Sequence, residues 1–227
     1  MKKCVVRVLA LVFTCVMLVG SLSACRLHKV QFDKDLNLYT DGRTGIRYTD
    51  APGCYEPVAI GKEYAKWSYN RKSGVIFYEI GNMDPAKWLC EEGKTVFYAE
   101  GVTLPTLTEM APEKVHLCVE EAITAVLVTV TDQADINALI DAWLGGEEIT
   151  YSGLEPTLNL RIKFESPSYP GLYYSLIYLE YSDGSKVLYD RSSARCVMVG
   201  DVLKEYIGED KPEDEQEDGQ ADEGEAA

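Results

Sequence analysis

The chain has 227 residues, 46% of them apolar, and carries 37 acids against 22 Lys and Arg, a formal net charge of −15. That balance excludes nucleic acid as a partner, because phosphate contacts rest on Lys and Arg. It also disfavours polyanionic wall polymers and anionic lipid headgroups.

Residues 1–24 divide into three parts. Lys2, Lys3 and Arg7 form a positive start, residues 8–22 are an almost purely apolar run, and Ser21, Ser23 and Ala24 are small. The apolar run is 15 residues long, roughly 22 Å as a helix against a bilayer core of about 30 Å, so it reads as a signal peptide and not a membrane span. Leu22-Ser23-Ala24-Cys25 resembles the lipobox of bacterial lipoprotein precursors. The resemblance implies cleavage before Cys25, a diacylglyceryl thioether on its sulfur and N-acylation by a palmitate-type chain. Several acyl chains together anchor stably where one does not. The expected location is therefore the extracytoplasmic face of a cell membrane, in the bacterial envelope. Residues 25–36 read as the anchor and a short tether.

Removing three signal cations leaves the rest of the chain at −18, of which residues 209–227 hold ten acids against Lys211. That tail has no large apolar residue and reads as disordered. Without Cys4, Cys15 and Cys25, four cysteines remain: Cys54, Cys90, Cys118 and Cys196. An even set outside the cytoplasm allows three disulfide connectivities, and four free thiols are the alternative. The spacing matches no CxxC-type metal pattern, so neither metal nor cofactor is expected.

In chain order, residues 36–50 read as a hairpin around Asp41-Gly42-Arg43-Thr44-Gly45. Residues 51–61, with Pro52, Gly53 and Pro57, read as an irregular loop, followed by strands at 63–69 and 75–80. Asp84-Pro85 should start a short helix through Leu89, and residues 95–98 another strand. Pro105 and Pro112 mark the best boundary, giving a β-rich subdomain over 37–104 and an α+β subdomain over 113–208.

Beyond it, residues 114–120 alternate, and 122–130 is a continuous β-branched run read as a central strand. Ile136, Leu139, Ile140, Trp143 and Leu144 form one helical stripe, capped by Thr131 or Asp132 and ended by Gly145-Gly146. Residues 158–165 alternate with Arg161, Lys163 and Glu165 outward, and 172–181 read as central. Ser182-Asp183-Gly184-Ser185 turns into a further strand at 186–189, and a last helix covers 202–207. The predicted fold is α+β, a mostly antiparallel sheet with a few short helices on one face, two layers deep.

No catalytic constellation is legible. There is no GxSxG elbow for a Ser-His-Asp set. His28 falls in the tether and leaves His116 as the one candidate base. His116 and Cys118, as strand neighbours two apart, stand about 6.6–7 Å apart with parallel side chains, too far for a dyad. Cys54, Tyr55, Trp67, Tyr169 and Tyr173, near predicted loops or strand ends, are the candidate binding residues. The expectation is a non-catalytic anchored protein binding a protein or envelope component. The alternatives are an envelope-facing hydrolase with dispersed carboxylates and a small-ligand receptor.

Overall fold

The computed structural model describes residues 27–70, 73–120 and 123–207. The expected signal peptide, Cys25 and the acidic tail lie outside the described residues. Seven strands close into a barrel: β1 (His28–Asp33), β2 (Leu38–Asp41), β3 (Arg47–Asp50), β8 (Val96–Ala99), β7 (Trp88–Cys90), β6 (Gly74–Ile80) and β5 (Ile60–Ser68), in that spatial order. The closing seam pairs β1 with β5 in parallel, His28 beside Ala65. Alternate residues point inward, and Val30, Tyr48, Ala65, Phe77, Leu89 and Phe97 fill the interior. Tyr39, Phe77 and Phe97 meet edge to face, with ring centroids 4.9–5.5 Å apart, a geometry favoured by the ring quadrupole.

The second unit is a sheet ordered β10 (Thr124–Val130), β9 (Lys114–Glu120), β11 (Leu158–Glu165), β12 (Leu172–Glu180), β13 (Lys186–Asp190) and β14 (Arg195–Met198). A short α1 (Leu107–Met110) leads into it. Helix α2 (Gln133–Gly145) buries Ile136, Leu139, Ile140 and Trp143 against Leu117, Ile162, Phe164 and Leu176. Asp132 caps it, accepting from the amides of Ala134 and Asp135. Helix α3 (Lys204–Ile207) is one turn.

Strands take 46% of the described residues and helices 12%, which overturns the predicted two-layer α+β arrangement. The molecule is β-rich, with one closed barrel and a second sheet. Three local misreadings produced the error. Residues read as tether form β1, and without β1 the barrel cannot close. Asp84 caps a single turn, accepting from the Ala86 amide, after which Trp88-Leu89-Cys90 runs on as the buried β7. The loop expected at 51–61 holds β4 (Tyr55–Pro57), which pairs with β12 of the other sheet.

The run at 122–130 is likewise not central. β10 pairs only with β9, bulges between Val126 and Val128, and leaves Ile123, Val126 and Leu127 at 77, 56 and 58% exposure. Continuous β-branched character cannot distinguish a doubly covered strand from an apolar edge.

β4 joins the two units, and their shared core contains Tyr55, Ile80, Trp88, Met110 and Leu172. Gly171 permits this contact. A Cβ there would lie 2.6 Å from the Gly81 carbonyl oxygen and 2.8 Å from Ile80 Cγ2, and would overlap Met83 Cγ. Gly171→Ala should therefore cost about 1–3 kcal/mol as an overpacked seam, read as a lower urea midpoint. An unchanged midpoint would mean that the two units are not packed through this contact.

Candidate functional site

On the face of the sheet opposite α2, the register builds rows of polar side chains. Thr129, His116, Lys163 and Ser175 lie across β10, β9, β11 and β12, and Lys114, Glu165, Tyr173 and Glu56 form the next row. Lys163 was expected outward, yet it is 6% exposed, because β4 brings Glu56 over it. Its Nζ lies 2.8 Å from Glu56 Oε2 and 2.8 Å from Glu120 Oε1. Arg161 Nε lies 3.2 Å from Glu120 Oε2 and 3.6 Å from Glu56 Oε1, and Lys94, from the β7–β8 turn of the barrel, reaches Glu120 at 3.3 Å. His116 links the two rows: its Nδ1 is 3.0 Å from Thr129 Oγ1 in its own row and its Nε2 is 2.7 Å from Glu165 Oε2 in the next, where Lys114 Nζ is 3.2 Å from Glu165 Oε1.

The electrostatics follow. Burial alone would raise the Glu120 pKa, but Lys163, Arg161 and Lys94 outweigh it and hold the carboxyl down at about 2. Burial lowers Lys163, and its two carboxylate partners more than reverse this. The hydrogen bond from His116, followed by the nearby Lys114, keeps Glu165 below its ordinary value. Burial pushes the Cys118 thiol up, against the opposing charge of Lys163. A general acid needs a carboxyl that still holds its proton near the working pH, and a nucleophilic cysteine needs a lowered pKa. Neither Glu120 nor Cys118 meets its requirement.

Two cavities flank the ladder. One, of about 260 Å³, is bounded by Val58, His116, Cys118, Val126, Lys163 and Tyr173. The other, of about 310 Å³, is bounded by Val119, Glu120, Asn159, Arg161, Ile177 and Arg191.

A second polar cluster closes the barrel. The Asp41 side chain is fully buried and accepts from the Arg43 amide (2.8 Å), Thr44 Oγ1 (2.9 Å) and Tyr64 OH (3.0 Å), and His28 Nδ1 lies 3.2 Å away. Arg43 Nη1 stands 2.6 Å from His28 Nε2. Guanidinium can only donate, so Nε2 accepts and Nδ1 carries the proton given to Asp41. With both ring nitrogens engaged, His28 has none left for a substrate.

The predicted binding residues separate. Tyr173 joins the ladder, its ring 5.8 Å from Lys163 Nζ and 5.8 Å from the His116 ring. Tyr55 is core, donating to the Pro105 carbonyl at 2.7 Å and packing edge-on against Tyr174. Cys54 is buried, its thiol pushed up to about 11 by burial. Trp67 packs against Phe32 and Tyr39 of the barrel, and Tyr169 against the seam core. Cys54, Cys90, Cys118 and Cys196 are all buried, each as a free thiol in this structure. Among the described residues no three His, Cys, Asp or Glu gather as metal ligands, and no helix is long and apolar enough to cross a membrane. Glu56, Glu120, Arg161 and Lys163 were missed as a group, because only the pairing of β4 with β12 brings Glu56 to the other three.

No protein-family model matches this chain, and no curated protein or solved structure shows significant similarity to it.

Proposed function

We propose that this chain is a non-catalytic, lipid-anchored extracytoplasmic protein that binds a protein partner. The observation that carries the non-catalytic reading is the internal pairing of the ladder. Glu56 and Glu120 do face one another, as a hydrolase would require, but Lys163 lies between them at 2.8 Å from each. A glycosidase pair needs one carboxyl held protonated, whereas Lys163, Arg161 and Lys94 hold Glu120 in its charged form and Lys163 occupies the space between the two carboxyls. Support for a protein partner comes from β10, whose open backbone edge runs beside Ile123, Val126 and Leu127. An extended segment of a partner can add to such an edge by main-chain pairing, its apolar side chains covering these three. The lipid anchor rests on Leu22-Ser23-Ala24-Cys25.

One experiment tests both parts. A photo-crosslinking residue at position 127 of the full chain, expressed in its own host, should give one discrete heavier adduct in the membrane fraction. With Cys25→Ala added, the chain should lose acyl mass and leave that fraction. Unchanged mass and partitioning would overturn the anchor. Absence of an adduct at 127 would overturn the β10 partner.

A further inference from the structure

The cavity bounded by Arg161 and Arg191 differs from the rest of the polar face in having donors to spare. Among the described residues, Arg43, Arg47 and Arg195 are each engaged, by His28, Glu100 and Glu148. Arg191 makes no hydrogen bond or ion pair there. It is held at the start of the β13–β14 turn, where the adjacent Asp190 accepts from the Ser192 amide, Ser192 Oγ and Ser193 Oγ. Arg161 makes its hydrogen bond to Glu120 through Nε alone, which leaves its Nη atoms open. The Asn159 amide, two residues along β11 on the same face, is also without a partner.

Among the described residues that bound the cavity Glu120 is the one acid, and its oxygens are already shared by Lys94, Arg161 and Lys163, the last two of which also pair with Glu56 behind the wall. The described lining thus sets two guanidinium groups against one carboxylate, in a chain of net charge −15. Ile177, paired with Arg161 across β11 and β12, supplies an apolar floor, and about 310 Å³ accommodates a small ligand and not a polymer.

We propose that this cavity binds a single oxyanion, a carboxylate or phosphate group of a small soluble ligand. Arginine presents parallel N–H donors whose spacing matches both groups, and Asn159 adds a neutral donor beside them. The general negative field repels polyanions while two guanidinium groups fix one oxyanion, so the site selects small anions over wall polymers. The proposal is independent of the anchor and of the β10 partner.

The test is a side-chain NMR titration of the purified full chain in detergent, with inorganic phosphate and, separately, acetate, at ionic strength held constant with sodium chloride. The Arg161 and Arg191 Nε–H signals and the Asn159 amide should shift saturably with at least one of the two anions, and which one identifies the preferred group. Arg191→Gln removes an exposed, unpartnered side chain and should weaken binding about tenfold without moving the thermal midpoint. Asn159→Ala should weaken it a few-fold. Linear shifts matching those of chloride, or saturation that Arg191→Gln leaves unaltered, would overturn the proposal.

Discussion

Lys163→Met should destabilise the fold by about 3–5 kcal/mol, the loss expected when one partner leaves a buried ion cluster. The substitution keeps most of the volume and removes the charge. Glu56 and Glu120 would then face each other without the ammonium that lies 2.8 Å from both, with only Arg161 and Lys94 left at the rim. The same change in a Glu56→Gln background should cost less, because one uncompensated buried charge is gone, with a coupling of about 1–3 kcal/mol. Urea unfolding of the four proteins in that cycle provides the measurement. Additive losses would mean that Lys163 contributes by packing and not by charge.

Glu120 also makes this cluster acid-sensitive. Its carboxyl sits at about 2 in the folded chain against an ordinary 4.5, so the unfolded chain takes up a proton first as pH falls. Stability is complete above about 4.5 and is lost between there and about 2. The side chain is a quarter exposed, and solvent screening reduces this contribution to roughly 1–2 kcal/mol.

What the sequence makes legible is local. The stripe Ile136, Leu139, Ile140 and Trp143 and the Asp132 cap identify α2, because both signals lie within about four residues of one another. Leu144 completes the same stripe on paper but is 49% exposed, since the stripe is wider than the contact it makes. The turn at Asp183-Gly184 is equally local, with Asp183 accepting from the Ser185 amide.

The site is not local. Glu56, Lys94, Glu120 and Lys163 are scattered along the chain, and β4, in a stretch whose prolines suggest a loop, crosses to the other sheet. Alternation in β11 puts Arg161, Lys163 and Glu165 on one face but cannot reveal that this face is covered. His28 fails for a related reason: a polar stretch just after the lipobox-like residues 22–25 reads as tether until its barrel partners β2 and β5 are known.

Asp41→Ala should cost about 3 kcal/mol or more, and the damage should fall at the seam that closes the barrel. Asp41 ends β2, and its carboxylate reaches His28 on β1 and Tyr64 on β5, the two strands whose parallel pairing closes the cylinder. Removing it takes the acceptor from four donors at once. Arg43 and Thr44 are exposed and can turn to water, whereas half-buried His28 and Tyr64 each lose about 1–3 kcal/mol when unsatisfied. Burial would raise the pKa of this carboxyl, but the Arg43 amide, Thr44, His28 and Tyr64 outweigh it and hold it low. Its contribution is thus present at neutral pH and fades with acid, in the same direction as that of Glu120. Asp41→Asn separates charge from shape. The Thr44 and Tyr64 hydroxyls can rotate to accept from the new amide, whereas His28 cannot, because Arg43 commits its other nitrogen to accepting. Asparagine should therefore cost less than alanine while still loosening β1. Hydrogen exchange at the β1 amides would reveal it: faster exchange there, with the second sheet unchanged, is the expected result. Uniform acceleration across both units would mean that barrel closure and the second sheet unfold as one cooperative body.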